Sequence, residues 1–208
     1  KFNKIFPKDI IDQFLFPIET YGTFLEGLSI NPVVFYNKWS DVNRQSLIDK
    51  YWKKNTKLDW KWSLSFPFFS FLENYVENIN HPKIIGFSGL PGSGKSTLGF
   101  WIDSVARELA LDIKVISLDD FYLPANEMDI AINGNPWNVP RGFPGTHSID
   151  LLNRSLDIFL KTGVINFPIF DKSLRNGKGD RSGWCEFKPK VLILEGWFVG
   201  SEAVENIK

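Results

Sequence analysis

Eight consecutive residues constrain this chain more than anything else in it. Gly89-Leu90-Pro91-Gly92-Ser93-Gly94-Lys95-Ser96 fits the pattern G-x-x-x-x-G-K-[ST]. Before it, Lys83-Ile84-Ile85-Gly86-Phe87-Ser88 is an apolar run of strand length that follows His81-Pro82. After it, Leu98, Ile102, Val105 and Leu109 recur at steps of three and four, which predicts one buried face of a helix. At average residue frequencies the bare pattern arises by accident in about one chain in a hundred of this length. The flanking strand and helix are the context that gives the pattern its meaning.

The physical reason is local. A glycine-rich turn that opens a helix aims several backbone N–H groups, and the positive end of the helix dipole, into one small volume. A triphosphate fills that volume. Lys95 is then expected to reach the β- and γ-phosphates and the Ser96 hydroxyl to be one ligand of a Mg²⁺ ion, while Gly92 and Gly94 permit backbone conformations that a β-carbon would obstruct.

Composition narrows the class of partner. The 208 residues carry 24 Lys plus Arg against 24 Asp plus Glu. A chain without basic excess does not have the usual balance of a nucleic-acid or membrane-surface binder, so the expectation is a small-molecule partner, no nucleic acid and no membrane. Cys185 is the single cysteine, which excludes an internal disulfide and a CxxC metal site and predicts a reducing compartment. No run approaches the ~18 apolar residues of a membrane span and the first residues show no signal-peptide core, so the expectation is a cytoplasmic protein. Nothing in the sequence specifies an oligomeric state.

Two regions are expected: a helical N-terminal extension over 1–80 and an α/β domain over 81–208. The extension is aromatic and carries no recognisable chemistry. Its clearest helix is predicted to start with Ser65 as N-cap, with Pro67 in the first turn and Phe68, Leu72, Tyr75, Val76 and Ile79 on one stripe packed toward the nucleotide domain. Trp52, Trp60 and Trp62 lack interleaved basic residues and are read as packing groups rather than a base-stacking platform. In the second region, Ile113-Lys114-Val115-Ile116-Ser117-Leu118 predicts a strand closing on Asp119-Asp120, and Val191-Leu192-Ile193-Leu194 a strand closing on Glu195-Gly196. Two such strands beside one that closes on a phosphate loop predict a parallel sheet flanked by helices, with the site at the C-terminal ends of the strands. Between them Ser148 is expected to cap a helix through Leu152, Leu156, Phe159 and Leu160 that stops at Gly163. The segments Pro124–His147 and Asp171–Trp184 read as long irregular loops over or beside the phosphate site.

Phosphoryl transfer needs cations, a metal and a group that orients the acceptor hydroxyl. Asp119 is the candidate for the last role, taking the hydroxyl proton, whereas Asp120 reads as a turn cap. Glu195 stands where a strand-end carboxylate can join the Mg²⁺ shell. Arg141, Lys172 and Arg181 lie in the two polar segments and are candidates for an anionic acceptor or the migrating phosphoryl group, with His147 as a hydrogen-bond donor beside them.

With these residues in view, the chain resembles the D-glycerate 3-kinases, a branch of the P-loop superfamily that also holds phosphoribulokinase, uridine kinase and pantothenate kinase. The resemblance rests on Gly86 through Thr97, Ser117-Leu118-Asp119-Asp120-Phe121-Tyr122-Leu123-Pro124, Arg141-Gly142-Phe143-Pro144-Gly145-Thr146-His147, Phe170-Asp171-Lys172-Ser173 with Gly179-Asp180-Arg181, and Leu194-Glu195-Gly196-Trp197. It covers about residues 80 to 200. It implies ATP-dependent phosphorylation of D-glycerate to 3-phosphoglycerate, as in photorespiratory carbon recovery. The implied nucleotide set is Gly89, Gly92, Ser93, Gly94, Lys95, Ser96 and Thr97, the implied acceptor set Asp119, Tyr122, Arg141, His147, Lys172 and Arg181, and the metal ligands Ser96 and Glu195. Lys95, Asp119 and Glu195 form the catalytic set. Ser148 departs from the pattern, which continues from histidine to aspartate. The resemblance also implies further strands and an arginine-bearing lid after Glu195, so the C-terminal part of the protein is expected to be missing from this chain. Two other readings stand beside it: a kinase of another small hydroxyl acceptor, pantothenate- or uridine-kinase-like, and a nucleotide-dependent regulatory protein.

Overall fold

A computed structural model of the chain describes residues 4–12, 14, 16–52, 60–136 and 139–201. They divide into two compact units: Lys1–Ile79 with Trp101–Leu111, and Asn80–Phe100 with Asp112–Lys208.

The first unit is helical. It holds α1 (Lys8–Ile11), α2 (Ile18–Gly27), α3 (Pro32–Ser40), α4 (Val42–Tyr51), a short π-helical segment Lys61–Ser65 and α5 (Phe66–Asn78). Asn31 and Asp41 start α3 and α4 by accepting from the second and third amides of each helix, the usual way to satisfy donors that have no intrahelical partner. The core is aromatic: Trp39 stacks on Phe66 with centroids 4.2 Å apart, and Trp52 stacks on Trp101 at 5.1 Å. Trp52 and Trp62 are buried, as expected of packing groups, and Trp60 is half-buried. Glu73 is buried too, paired with Arg44 and Lys38, each at 2.6 Å.

Ser65 does not cap α5. It lies in helical conformation at the end of the π-helical segment, and its hydroxyl donates to the Trp60 carbonyl. The buried face of α5 is Phe66, Phe69, Leu72 and Val76, with Phe68 and Tyr75 on its flank. Four phenylalanines within six residues satisfy more than one helical stripe, so spacing alone does not choose the inward face.

The second unit is built on a three-stranded parallel sheet in the order β1 (Lys83–Ser88), β5 (Val191–Gly196), β2 (Ile113–Ser117). Register aligns the strand ends, with Ser88 beside Gly196 and Ser117 beside Glu195. β5, apolar over its first four residues, is buried along its whole length, as a central parallel strand must be. Helix α6 (Lys95–Glu108) follows the glycine-rich turn, and its residues from Trp101 onward belong to the first unit. Helix α8 (Ile149–Thr162) ends at Gly163, whose φ of 76° is the left-handed geometry of a helix stop. Its Leu152 and Phe159 join Ile116, Leu118, Phe121, Leu192 and Leu194 in one core.

Two expected loops contain regular structure. Asp171–Trp184 is the tip and one arm of a hairpin: β3 (Ile165–Asp171) pairs antiparallel with β4 (Asp180–Phe187), and residues 172–179 form the turn between them. Within Pro124–His147, α7 (Ala125–Ala131) forms, and Tyr122 and His147 pair as an isolated antiparallel bridge. Ser148 precedes α8 without capping it, because its Oγ accepts from Arg181 Nη2 at 2.8 Å instead.

Candidate functional site

The turn between β1 and α6 adopts the conformation its glycines allow. Gly92 and Gly94 have φ of 77° and 91°, a region closed to most L-residues. The loop folds on itself, Ser93 N donating to the Leu90 carbonyl at 3.2 Å and Lys95 Nζ donating to the same oxygen at 2.9 Å. Gly89 lies against Ser93 and the Lys95 stem, so a β-carbon there would sit 3.1 Å from Ser93 Oγ.

The ends of β2 and β5 face this turn. Pro91, Gly92, Lys95 and Ser96 line a cavity of about 390 Å³ together with Ser117, Asp119, Tyr122, Gly142, Glu195, Gly196 and Trp197. Asp119 gets there through local chemistry: β2 ends at Ser117, whose hydroxyl and the Asp120 carboxylate form a capping box around the single turn Leu118–Phe121. Asp120 also accepts from Phe170 N at 3.3 Å, tying the end of β3 to that turn, and its burial pushes its carboxyl above the ordinary value. Asp120 is thus a structural cap, as its place after the strand suggests, while Asp119 is left turned toward the cavity.

Asp119 has three neighbours, the Tyr122 phenol among them. Lys172 Nζ donates to Oδ2 at 2.6 Å, and His147 Nε2 lies 3.9 Å from Oδ1. Burial raises the Asp119 carboxyl, but His147 and Lys172 together outweigh it and hold the group well below the usual carboxylate range. His147 stacks on Tyr122 at 4.1 Å and meets Phe198 edge-on at 5.0 Å; its Nε2 is buried with no hydrogen-bond partner. At 3.9 Å it is beyond hydrogen-bonding distance of the carboxylate. Burial, reinforced by the Asp119 charge, pushes the Tyr122 phenol above its ordinary value, so it stays a neutral donor.

At the end of β5, Glu195 is buried and accepts from Ser96 Oγ at 2.9 Å. A hydroxyl and a carboxylate in contact, both on the cavity wall, are the hard oxygen donors that Mg²⁺ takes when phosphate oxygens and waters complete its shell. Among the described residues no group of three or more His, Cys, Asp or Glu side chains gathers around a metal. Two protein ligands are what a Mg²⁺–nucleotide site needs.

The arginines are placed differently from the sequence-based expectation. Arg141 Nη1 donates to the carbonyls of Gly177 and Lys178 at 2.8 and 2.9 Å, and its guanidinium lies 5.8 Å from the Phe170 ring centroid. Arg181 donates from Nε to the Tyr122 carbonyl at 3.1 Å and from Nη2 to Ser148 Oγ. Neither lines the cavity, and His147 and Lys172 do not line it either but adjoin Asp119, which does. Arg181 instead spans both sides of the Tyr122–His147 bridge, and Arg141 fastens its loop to the turn that carries Lys172. A guanidinium saturates backbone carbonyls as readily as it binds anions, and sequence cannot tell the two apart. Thr97, Ser93 and Gly94 belong to the turn and first helical residues without lining the cavity. Sequence reading assigned nothing to Trp197 or Gly142, both of which do line it. Their only signal was membership of the runs Arg141–His147 and Leu194–Trp197 that carry the resemblance.

No family model matches the chain. Its homologues include an uncharacterized kinase, mug58, of Schizosaccharomyces pombe, 39% identical over 65% of this chain and 53% of that protein. They also include the chloroplastic D-glycerate 3-kinase of Arabidopsis thaliana, 35% identical over 57% of this chain and 29% of that protein. The chain thus spans about half the length of the first and less than a third of the second. Among solved structures, the YGR205w protein superimposes with a TM-score of 0.57 and 30% identity, over 69% of this chain and 56% of that one.

Proposed function

We propose that this chain is the nucleotide-binding part of an ATP-dependent small-molecule kinase, and that its acceptor is the primary hydroxyl of D-glycerate. One observation carries the reading: the phosphate turn, a hydroxyl–carboxylate pair suited to Mg²⁺ and a strand-end aspartate all face one cavity of about 390 Å³. The similarity to a D-glycerate 3-kinase supports the choice of acceptor. A regulatory nucleotide switch needs one strand-end carboxylate on the metal side, whereas here Asp119 faces the cavity in addition to Glu195.

In this mechanism the amides of Gly92–Lys95 hold the phosphates and Lys95 leaves the Leu90 carbonyl to pair with the β- and γ-oxygens. Ser96 and Glu195 would hold Mg²⁺, which when bound neutralises charge on the β- and γ-phosphates. Asp119 accepts the proton of the acceptor hydroxyl as its oxygen bonds to the γ-phosphorus, and the bond from that phosphorus to the β–γ bridging oxygen breaks, releasing ADP with the electron pair. Tyr122, on the cavity wall, orients the acceptor from the side, and His147 stacks against that ring. The single half-buried thiol, Cys185, fits a cytoplasmic setting. No helix among the described residues is long and apolar enough to cross a membrane.

The test is ATP consumption by the full-length protein across hydroxy acids, vitamins and nucleosides, with identification of the phosphorylated product. Phosphorylation of D-glycerate at its primary hydroxyl is expected. Preferred phosphorylation of a nucleoside or pantothenate removes the glycerate assignment, and no acceptor-dependent ADP formation with any compound removes the kinase reading.

A further inference from the structure

The turn after β3 sets a cation directly on the candidate base. Lys172 donates to one Asp119 oxygen at 2.6 Å while His147 faces the other. A carboxylate held this way is stabilised as the anion and takes up a proton reluctantly, so in this arrangement Asp119 is a poor base. Lys172 and His147 differ in freedom. The His147 side chain is 3% exposed and locked between Tyr122 and Phe198. The Lys172 side chain is 55% exposed, and a pair that open contributes little net stability. His147 stays, whereas Lys172 is able to leave. The arginines nearby already donate to Gly177, Lys178, Tyr122 and Ser148. Lys172 is therefore a cation whose present partner lies on the cavity wall and can be replaced by a ligand.

We propose that Lys172 exchanges partners: it masks Asp119 while the acceptor place is vacant, and a negatively charged group on the acceptor draws it away and frees the base. This rests on the kinase reading above and adds one thing to it: the charge of the acceptor acts as the trigger, so that water is a poor acceptor because it brings no charge to unmask the carboxylate. Both competing reactions use the same bonds. With a hydroxy acid, its oxygen bonds to the γ-phosphorus, the link to the bridging oxygen breaks, ADP leaves and the hydroxyl proton passes to Asp119. With water, the water oxygen attacks in the same way, giving ADP and phosphate, and its proton must pass to an Asp119 still paired with Lys172.

The experiment compares the full-length protein with its Lys172→Met and Lys172→Gln variants, measuring ATP hydrolysis without acceptor and transfer to D-glycerate and to glycerol, its uncharged relative. Both variants are expected to hydrolyse ATP about tenfold faster than the unsubstituted protein and to lose most of the preference for glycerate over glycerol. Adding Asp119→Asn to Lys172→Met should abolish the extra hydrolysis. Hydrolysis unchanged in both single variants, or a rise that persists in the double variant, overturns the proposal. So does a loss confined to the glycerate KM, which would make Lys172 a plain ligand. If the unsubstituted protein phosphorylates no hydroxy acid, the acceptor assignment fails on its own; the hydrolysis rates still decide the masking, a rise supporting it and a flat result refuting it.

Discussion

Gly196→Ala is the sharpest test of how β5 positions the site. A β-carbon built on Gly196 would stand 2.6 Å from Leu118 Cβ, 2.9 Å from Leu118 Cδ2 and 3.0 Å from Val199 Cγ2. Carbon atoms in contact prefer about 3.5–4.0 Å, so Leu118 would have to retreat by roughly 1 Å. Its Cβ moves only with its backbone, and Leu118 opens the single turn that presents Asp119. Overpacking of this kind costs about 1–3 kcal/mol. For a chain of this size each kcal/mol lowers Tm by about 2–4 °C, so a fall of roughly 2–12 °C is expected by thermal unfolding. A base misplaced by about 1 Å should also slow transfer by around 10²-fold. Gly99→Ala is the control: its β-carbon would meet the tip of Val115 at 3.1 Å and Glu195 Cγ at an ordinary 3.8 Å, and alanine gains helix propensity there. That variant should stay within about 1 kcal/mol of the parent. A Gly196→Ala protein with unchanged Tm and turnover, or one no worse than Gly99→Ala, refutes the reasoning.

Three further outcomes are expected. Asp119→Asn should lower kcat by about 10²–10⁴ while ATP affinity, read by calorimetric titration, is retained. Ser148→Ala removes the acceptor for Arg181 Nη2 and should cost about 1–3 kcal/mol in urea unfolding, with Ser148→Thr recovering most of it. Because Lys172 and His147 depress the Asp119 carboxyl against its burial, the stabilisation they give is present above the unfolded-chain value, about 3.9, and lost as pH falls through the lower folded value. Because the pair is half open to solvent, Lys172→Met should begin acid unfolding at only a slightly higher pH than the parent, followed by tryptophan fluorescence; a large shift of the acid limb would show that the pair is not the weak one its exposure implies.

What could be read from the chain was what short-range chemistry determines. β1, β2 and β5 announce themselves as apolar runs, and each was expected within a residue or so of its place. The helix after the phosphate turn and the stop of α8 at Gly163 are likewise local signals. β4 was hidden because Asp180-Arg181-Ser182-Gly183 has the composition of a loop and becomes a strand only by pairing with β3. The central place of β5 is a long-range pairing with no mark in its own residues beyond unbroken hydrophobicity. Within the site, Lys95, Ser96, Asp119 and Glu195 meet around one cavity because each lies at the end or start of an element that sequence could place. Arg141 and Arg181 do not join them, since their partners are backbone carbonyls and a serine supplied by distant segments.

The central claim concerns geometry around a bound triphosphate, and a crystal structure of the full-length protein with a non-hydrolysable ATP analogue, Mg²⁺ and D-glycerate tests it most directly. The account requires the γ-phosphate on the amides of Gly92–Lys95, Ser96 and Glu195 on the metal side, and the glycerate hydroxyl within about 3 Å of an Asp119 oxygen. It also requires Lys172 to have moved from that aspartate to the glycerate carboxylate. A triphosphate bound elsewhere, or Asp119 and Glu195 turned away from it, would contradict the account.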